Sequence, residues 1–141
     1  MKSAEEALRR LRKKGLRVTP QRMALAKALE GDTRHPVAEE VYQRIASIMP
    51  TISRATVYKG LETLCNVGEL QELKVAGDAV RYDPKTEAHS HCRCRKCGGL
   101  FDISFCLPEK LPERVGDDFG VEGAETILHG ICKRCREEPN A

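Results

Sequence analysis

Cysteine and histidine residues are concentrated in one stretch near the middle of the chain. The segment His89–Gly99 reads HSHCRCRKCGG and holds two histidines and three cysteines. Its pair Cys94-x-x-Cys97 is matched, after 34 intervening residues, by a second pair, Cys132-x-x-Cys135. Each pair can place two thiolates on one tight turn, and two such turns complete a tetrahedron around Zn²⁺. Four cysteine ligands leave no open position, so the spacing predicts a structural zinc site.

Other uses of the cysteines stay open at this point. Two reduced pairs without a metal are one alternative, although two Cys-x-x-Cys pairs rarely coincide by chance. A redox dithiol is disfavoured because neither pair is expected at the start of a helix that follows a strand. Among the remaining cysteines, Cys65 lies on an apolar helix face and is expected in a core. Cys92 could pack, bind metal or be oxidised, and Cys106 has no assignable role.

The histidines of the same stretch suggest a second metal site. His89 and His91 alternate, so on a strand both imidazoles would face the same way. Asp83 lies shortly before them, and Asp102 follows one strand later. By spacing alone, a ligand pair and two structural histidines are equally good interpretations. His35 lies far upstream, where a histidine at a helix start or on the surface is more usual.

Charge is unevenly distributed along the 141 residues. The net charge is only +3, but residues 1–30 carry nine Lys or Arg against three Glu. The first 30 residues therefore sum to +6 and the remainder to −3. An electropositive region is a plausible partner for phosphates, although a solvated helix face is the simpler interpretation of a charge run alone.

Targeting signals are missing from the sequence. The beginning, MKSAEEALRR, lacks the apolar run of a signal peptide, and no later stretch has the length of a membrane span. We therefore expect a cytoplasmic protein without membrane association. Seven cysteines in a compartment that keeps thiols reduced favour metal binding over disulfides.

The elements that must position these residues begin with four predicted helices. Hydroxyl residues that precede an apolar repeat predict three of the helix starts, at Ser3, Thr19 and Ser53. The other helix follows His35-Pro36 and repeats its apolar residues at i, i+3, i+4 and i+7. The predicted core residues are Ala7, Leu8, Leu11, Leu25, Ala28, Leu29, Ala38, Val41, Tyr42, Ile45, Val57, Leu61, Leu64 and Cys65.

The third and fourth helices, joined by a short turn, predict a helix-turn-helix. The outer face of the fourth would carry Ala55, Lys59 and Glu62, with Tyr58 at its edge. Strand-like residues on both sides of a turn at 76–78 predict a hairpin, and a hairpin in this place is a wing. A polar connector at 83–87 divides the chain into residues 1–84 and 85–141.

The second part has weaker signals. A strand is predicted at Gly99–Ile103, a short helix at Leu107–Val115, and further strand at Val121 and Ile127–Ile131. Taken together, the sequence predicts an α+β fold. It would combine an N-terminal winged helix-turn-helix domain with a small C-terminal α/β domain that contains the zinc site.

Several motifs resemble one known family closely. They occur in order from about residue 7 to Cys135, and they resemble the ferric uptake regulator family. The motifs are GLRVTPQR at 15–22, HPVAEEVY at 35–42, ISRATVY at 52–58, Arg81-Tyr82-Asp83, His89-x-His91 and Cys94-x-x-Cys97-Gly98.

The resemblance implies a homodimer that represses transcription when a sensory metal is bound, with the C-terminal domain forming the dimer. It implies Cys94, Cys97, Cys132 and Cys135 as structural zinc ligands. It implies His35, Asp83, His89, His91 and Asp102 as ligands of a regulatory Fe²⁺ or Mn²⁺. Aspartate at position 102, where iron sensors usually have glutamate, resembles the peroxide-sensing subgroup. Peroxide would then oxidise His35 or His89 when iron is bound.

Double-stranded operator DNA, palindromic to match the dimer, is the expected partner. We expect Lys13, Lys14 and Arg17 to contact phosphate or a minor groove. We expect Arg54, Tyr58 and Lys59 to line the major groove. Lys59-Gly60 replaces the Arg-Asn common in the family, so the operator sequence is not predictable.

Three alternatives remain. The chain could be an iron-, manganese- or zinc-responsive regulator of the same family, and Cys92 keeps the zinc sensor open because thiolate prefers Zn²⁺. A metalloenzyme is disfavoured, since five protein ligands leave little room for substrate. A zinc-stabilised interaction module would leave the basic N-terminal region unexplained. We therefore predict a regulator rather than an enzyme.

Overall fold

A computed structural model of the protein describes residues 1–104, 116–122 and 124–138. The chain forms two compact units, Met1–Thr86 and Glu87–Ala141. The division predicted from the sequence, after residue 84, lies in the same polar connector. No helix in these described ranges combines the length and the apolar character that a membrane span requires.

Four helices make up most of the N-terminal unit, and local capping explains where they begin. The hydroxyl groups of Ser3, Thr19 and Ser53 accept a hydrogen bond from the backbone N–H three residues further on, at 3.1, 3.3 and 3.1 Å. Such a bond satisfies one of the donors left free at a helix start. The helices are α1 Ala4–Lys13, α2 Pro20–Leu29, α3 Ala38–Ala46 and α4 Arg54–Asn66.

Helix α3 begins without a side-chain cap. Val37 occupies the cap position and has no acceptor atom. Instead, the carboxylate of Glu40 accepts the backbone N–H of Val37 at 2.9 Å. This bond is the half of a capping box that does not need a hydroxyl residue.

The helices pack around one core. The predicted apolar positions are buried, with the exceptions of Ala28, Tyr42 and Cys65, which are half-buried. Ala26 is buried where Ala28 was expected. The core is completed by Ala4, Ile52, Val67, Leu70 and Tyr82.

A two-stranded antiparallel hairpin follows α4 and forms the predicted wing. Its strands are β1 Gln71–Leu73, which is shorter than the strand-like stretch at 69–75 of the sequence, and β2 Arg81–Asp83, which has the predicted length of three residues. The turn is closed by a bond from the Asp78 N–H to the Val75 carbonyl at 3.0 Å. Gly77 has a φ of +83°, which glycine adopts without a steric cost. The helix-turn-helix and the wing confirm the predicted architecture of this unit.

The C-terminal unit contains a three-stranded sheet of order β4-β3-β5. The central strand β3 is antiparallel to β4 and parallel to β5. Val121 lies outside the strands, whereas the other strand predictions are confirmed. The helix predicted at Leu107–Val115, together with Cys106, falls outside the described residues. The elements are β3 Ser90–Cys94, β4 Leu100–Ile103, β5 Ile127–Gly130 and a short helix α5 Lys133–Glu137.

Candidate metal centres and nucleic-acid surface

The four cysteines predicted as zinc ligands meet at one end of the C-terminal sheet. One sulfur from each of Cys94, Cys97, Cys132 and Cys135 lies within 4.8 Å of all the others. The Sγ atoms of Cys97 and Cys132 are 3.9 Å apart. The geometry thus brings together two pairs that are far apart in sequence.

The strand directions explain this meeting. Cys94 is the last residue of β3, and its register partner on the parallel strand β5 is Gly130, two residues before Cys132. Parallel strands end at the same edge of a sheet, so the segments that carry the two cysteine pairs begin at neighbouring strand ends. The first pair turns through Gly98, whose φ of +70° favours glycine and whose N–H donates to the Cys94 carbonyl at 2.9 Å.

One premise of the sequence analysis was wrong at this site. Cys132 is the N-cap residue of α5, which follows β5, so one pair does lie at the start of a helix after a strand. The case against a redox dithiol therefore cannot rest on that ground. It rests on the clustering of all four sulfurs, because a dithiol needs two and a tetrahedral zinc site needs four.

The surroundings of the cluster favour the thiolate of Cys94, whereas burial and hydrogen bonds with the other three cysteines raise the pKa of Cys135. The backbone N–H of Cys132 donates to Cys94 Sγ at 3.3 Å. This bond and the backbone N–H groups of Cys97 and Lys96 lower the pKa of Cys94 to about 6. A hydrogen bond to Cys97 and the nearby sulfurs raise the pKa of the Arg134 guanidinium. Zinc takes thiolates, so the donor set and its environment fit a structural zinc ion.

The N-terminal unit brings His35 and Asp83 together. The Nε2 atom of His35 lies 3.4 Å from Asp83 Oδ2, and both side chains are buried. His35 has a φ of +52°, a conformation that non-glycine residues rarely adopt. Two contacts from β2 hold this backbone: Arg81 Nη1 donates to the His35 carbonyl at 3.0 Å, and the Tyr82 N–H to the Pro36 carbonyl at 2.9 Å.

A buried carboxylate, paired with two less buried arginines, supports the same loop. The carboxylate of Asp32 accepts bonds from the backbone N–H and the Nε of Arg34 at 2.9 and 3.0 Å, and it is also paired with Arg44 of α3. Burial acts to raise the pKa of Asp32, but its bonds to Arg34 and Arg44 outweigh burial and lower that pKa to about 2. Asp32 therefore stays ionised and ties the loop before His35 to α3.

The C-terminal unit brings together His89, His91 and Asp102. His91 and Asp102 are register partners on β3 and β4, so their side chains share a face of the sheet. Asp102 Oδ1 lies 3.2 Å from His89 Nε2 and 3.3 Å from His91 Nε2. The two imidazole rings have centroids 4.4 Å apart.

A backbone contact orients one of these imidazoles. The Nδ1 atom of His89 lies 2.7 Å from the carbonyl oxygen of Glu87. A carbonyl oxygen can only accept, so Nδ1 carries the proton and the Nε2 of a neutral ring presents a lone pair toward Asp102. Metal-binding histidines are typically held in this way by a carbonyl on the other ring nitrogen. The arrangement fits a cation bound by nitrogen and oxygen donors.

The predicted DNA-contacting residues lie on the N-terminal unit. Lys13, Lys14 and Arg17 are exposed, and Tyr58 is 48% exposed. Lys59 is exposed and paired with Glu62, one turn along α4, at 2.8 Å. Arg54 is paired with a residue of another helix, Glu39 of α3, at 2.9 Å.

A cavity of about 570 Å³ adjoins this surface, and its lining includes Arg17 and Lys59. The half-buried Arg22 also lines it, and no acidic residue does. Sequence reasoning assigned no role to Arg22 or to Glu39. Both residues stand within motifs quoted for the family resemblance, which was a signal, but nothing in those motifs indicated that Glu39 is the partner of Arg54.

Comparison with known proteins agrees with this fold and these sites. The model of the family described as "Ferric uptake regulator family" matches residues 13–131 of this chain. A peroxide-responsive repressor, PerR, from Staphylococcus epidermidis is 37% identical over 139 residues, which cover 96% of this chain and 92% of that protein. The Campylobacter jejuni peroxide stress regulator has a structure with 32% identity and a TM-score of 0.64, over 91% of this chain and 98% of that one.

The Helicobacter pylori ferric uptake regulator, described as having three functional metal-binding sites, has a TM-score of 0.76 at 23% identity, over 98% and 97% of the two chains. At that identity the likeness shows the fold alone. The profile match and the identity to PerR show more: the chain belongs to the ferric uptake regulator family. It is thus a metal-binding regulator, with a structural zinc site and a histidine and aspartate set for a regulatory metal.

Proposed function

We propose that this protein is a metal-dependent repressor that binds palindromic operator DNA as a homodimer and senses peroxide through a histidine ligand. One observation carries the proposal. Three imidazole Nε2 atoms, of His35, His89 and His91, each face a carboxylate oxygen at 3.2 to 3.4 Å. Imidazole nitrogens and carboxylate oxygens are donor atoms that a divalent cation binds.

We propose that His35, Asp83, His89, His91 and Asp102 bind one regulatory ion. Three nitrogens and two carboxylates, without a thiolate, suit Fe²⁺ or Mn²⁺. Later metals of the series bind such a set more strongly, so selectivity depends on geometry and on the metals available in the cell. Because the ligands come from both units, binding would fix the spacing of the two winged helices on a palindrome.

Bound Fe²⁺ would supply the one-electron chemistry with peroxide. The protein supplies the target, the ring of His35 or His89. One oxygen atom of the peroxide replaces the hydrogen of a ring carbon–hydrogen bond, and the other leaves as water. An oxidised ring is a weaker ligand, so the site loses its ion and the repressor leaves DNA. The similarity to a PerR and to a peroxide stress regulator supports this assignment.

DNA binding belongs to the winged-helix unit. Tyr58 and Lys59, exposed on α4, would enter the major groove, while Lys13, Lys14 and Arg17 would contact phosphate. The absence of acidic residues from the cavity beside Arg17 and Lys59 supports this surface.

Dimerisation belongs to the C-terminal sheet. Phe101 and Leu128 are each 44% exposed. Both are register partners of Cys92 on β3, so the three side chains form one row on one face of the sheet. Exposed apolar residues in a row suit a contact with a second copy of the chain.

The oxidation can be tested by mass spectrometry. The protein is loaded with Fe²⁺ or Mn²⁺, treated with hydrogen peroxide and digested. We expect one added oxygen atom on the peptide of His35 or His89 in the iron form and none in the manganese form. Oxidation confined to Cys92 or to the zinc thiolates would contradict the proposal.

A gel shift with a palindromic AT-rich duplex, with and without Mn²⁺, tests the regulator class. A metalloenzyme or an interaction module would not bind the duplex. An iron-, manganese- or zinc-responsive regulator would also bind it, but peroxide would not release such a regulator from the duplex even in its Fe²⁺-loaded form. We place the protein in the cytoplasm, where its operator and its regulatory metal are found.

A further inference from the structure

Arg54, the first residue of α4, has an unusually complete set of partners for a surface residue. Its Nε and Nη2 atoms donate to the two carboxylate oxygens of Glu39 at 3.0 and 2.9 Å. Its guanidinium carbon lies 4.3 Å from the ring centroid of Tyr42. Gln43 donates to the same Glu39 carboxylate at 2.9 Å.

These contacts join two helices. Glu39, Tyr42 and Gln43 belong to α3, whereas Arg54 begins α4, whose exposed face carries Tyr58 one turn further on. A bidentate guanidinium–carboxylate pair fixes both distance and plane, and stacking on an aromatic ring restricts the remaining rotation. The start of α4 is therefore fixed to α3 by a directional contact.

The same contacts limit what Arg54 can offer to a ligand. The Nε–Nη2 edge, which could otherwise make a bidentate contact with a guanine, already binds Glu39, and Tyr42 covers one face of the guanidinium plane. Breaking the pair would also leave a carboxylate beside the face proposed to enter DNA, where phosphates repel it.

We propose that Arg54 positions the recognition helix α4 on α3 and neutralises Glu39 there, and that it does not read bases. This inference rests on the proposed DNA-binding function, and it revises the expectation that Arg54 lines the major groove. Tyr58 and Lys59 remain the residues for base contact.

Electrostatics agree with this role. The hydrogen bond from Arg54 comes first among the causes that lower the pKa of Glu39. The corresponding bond raises the pKa of Arg54. Both groups are therefore charged at neutral pH, and Arg54 is the cation that offsets Glu39.

The test is a double-mutant cycle on DNA affinity. The variants are Arg54→Lys, Arg54→Gln, Glu39→Gln and the double variant Arg54→Gln with Glu39→Gln. Lys27→Gln, which removes an exposed cation of α2, is the control. The manganese-loaded proteins are titrated with a palindromic AT-rich duplex selected by the wild-type protein, over a range of salt concentrations.

We expect Arg54→Gln to weaken binding about fivefold, the effect of one exposed ion pair with a cation–π contact. Arg54→Lys should weaken binding nearly as much, because lysine keeps the charge but cannot make the bidentate hydrogen bonds to Glu39. In the Glu39→Gln background, Arg54→Gln should change affinity less than twofold. The affinity of Arg54→Gln should depend on salt concentration in the same way as the affinity of the Lys27→Gln control.

The opposite pattern would overturn the inference. If Arg54 contacts a DNA phosphate, Arg54→Lys should bind nearly as tightly as the wild type. If Arg54 contacts DNA at all, Arg54→Gln should weaken binding by the same factor with or without Glu39. A salt dependence for Arg54→Gln that corresponds to one released counterion fewer than in the wild type would also indicate that Arg54 contacts phosphate. Thermal unfolding of each variant separates loss of folding from loss of binding. Failure of the wild type to bind any duplex would refute the proposed function instead.

Discussion

The guanidinium of Arg81 donates a hydrogen bond to the backbone carbonyl of His35 across 3.0 Å. Arg81 lies two residues before Asp83 on β2, so one strand holds both the loop of His35 and the carboxylate that faces its imidazole. A positive φ at a non-glycine residue persists only where its surroundings enforce it. Arg81 therefore holds the backbone of one proposed ligand, His35, and lies on the same strand as a second, Asp83, without binding metal itself.

Replacing Arg81 should weaken the regulatory site. We expect Arg81→Met to lower Mn²⁺ affinity roughly tenfold, as is typical when a residue that supports a metal ligand is removed. Manganese titration followed by electron paramagnetic resonance measures this directly. Lys74→Met, an exposed cation on the same hairpin, is the control. Equal affinities of the two variants would show that Arg81 does not position the ligands.

The cysteine cluster predicts a large difference between two substitutions of the same kind. Cys97→Ser should release about one zinc ion per chain and unfold the C-terminal unit, since structural zinc contributes folding energy directly. Cys65→Ser should retain the zinc, because Cys65 is a half-buried residue of the N-terminal core. Elemental analysis and circular dichroism report both effects. Retention of full zinc by Cys97→Ser would argue against the four-cysteine site.

Asp32 predicts a particular dependence of stability on pH. Its pKa of about 2 in the folded protein lies below the value near 4 of an unfolded aspartate. Its contribution is therefore complete above about pH 4 and is lost as pH falls toward 2. At pH 7, Asp32→Asn should lower the free energy of unfolding by roughly 2 kcal/mol, and the difference should shrink in acid.

The control for this prediction is Glu30→Gln, an exposed neighbour at the end of α2. Urea unfolding at several pH values gives the free energies of both variants. A penalty for Asp32→Asn that stays constant down to pH 2 would mean that its ion pairs with Arg34 and Arg44 do not stabilise the fold.

Gly60 predicts that a better helix former will destabilise the protein. A β-carbon at this position would lie 2.6 Å from Leu25 Cδ2, which is too close for two carbon atoms. Alanine gains about 1 kcal/mol of helix propensity over glycine, but overpacking costs about 1–3 kcal/mol. We expect Gly60→Ala to be destabilising by about 1 kcal/mol.

Shortening the side chain of Leu25 should relieve the steric clash that Gly60→Ala creates. Leu25→Ala should cost about 2–5 kcal/mol alone, and measurably less in the Gly60→Ala background. Chemical denaturation of the single and double variants tests this coupling. Additive effects would show that the two residues do not compete for space.

Most of the helical unit could be predicted because its signals are local. The side chains of Ser3, Thr19 and Ser53 cap the helices that follow them, so a few residues of sequence define each start. Apolar periodicity then identified 11 of the 17 buried residues of this core. The wing was predicted by its turn, although its first strand is shorter than its composition suggests.

The details of the sites could not be predicted, because they depend on contacts across the fold. Nothing near Arg54 in sequence indicates that its partner is Glu39, 15 residues away. The conformation of His35 and the bond from Arg81 depend on where the wing packs. Cys132 was not expected at a helix start, since five residues of α5 give too short a pattern to detect.

The parallel pairing of β3 with β5 has a consequence for how this protein can change over evolution. The register, from His91 opposite Ile127 to Cys94 opposite Gly130, fixes where both cysteine pairs leave the sheet. Residues 116–122, between β4 and β5, enter neither this register nor the set of four sulfurs. Insertions and deletions there should therefore be tolerated by the zinc site, which makes that segment a suitable place to graft a tag or a reporter peptide.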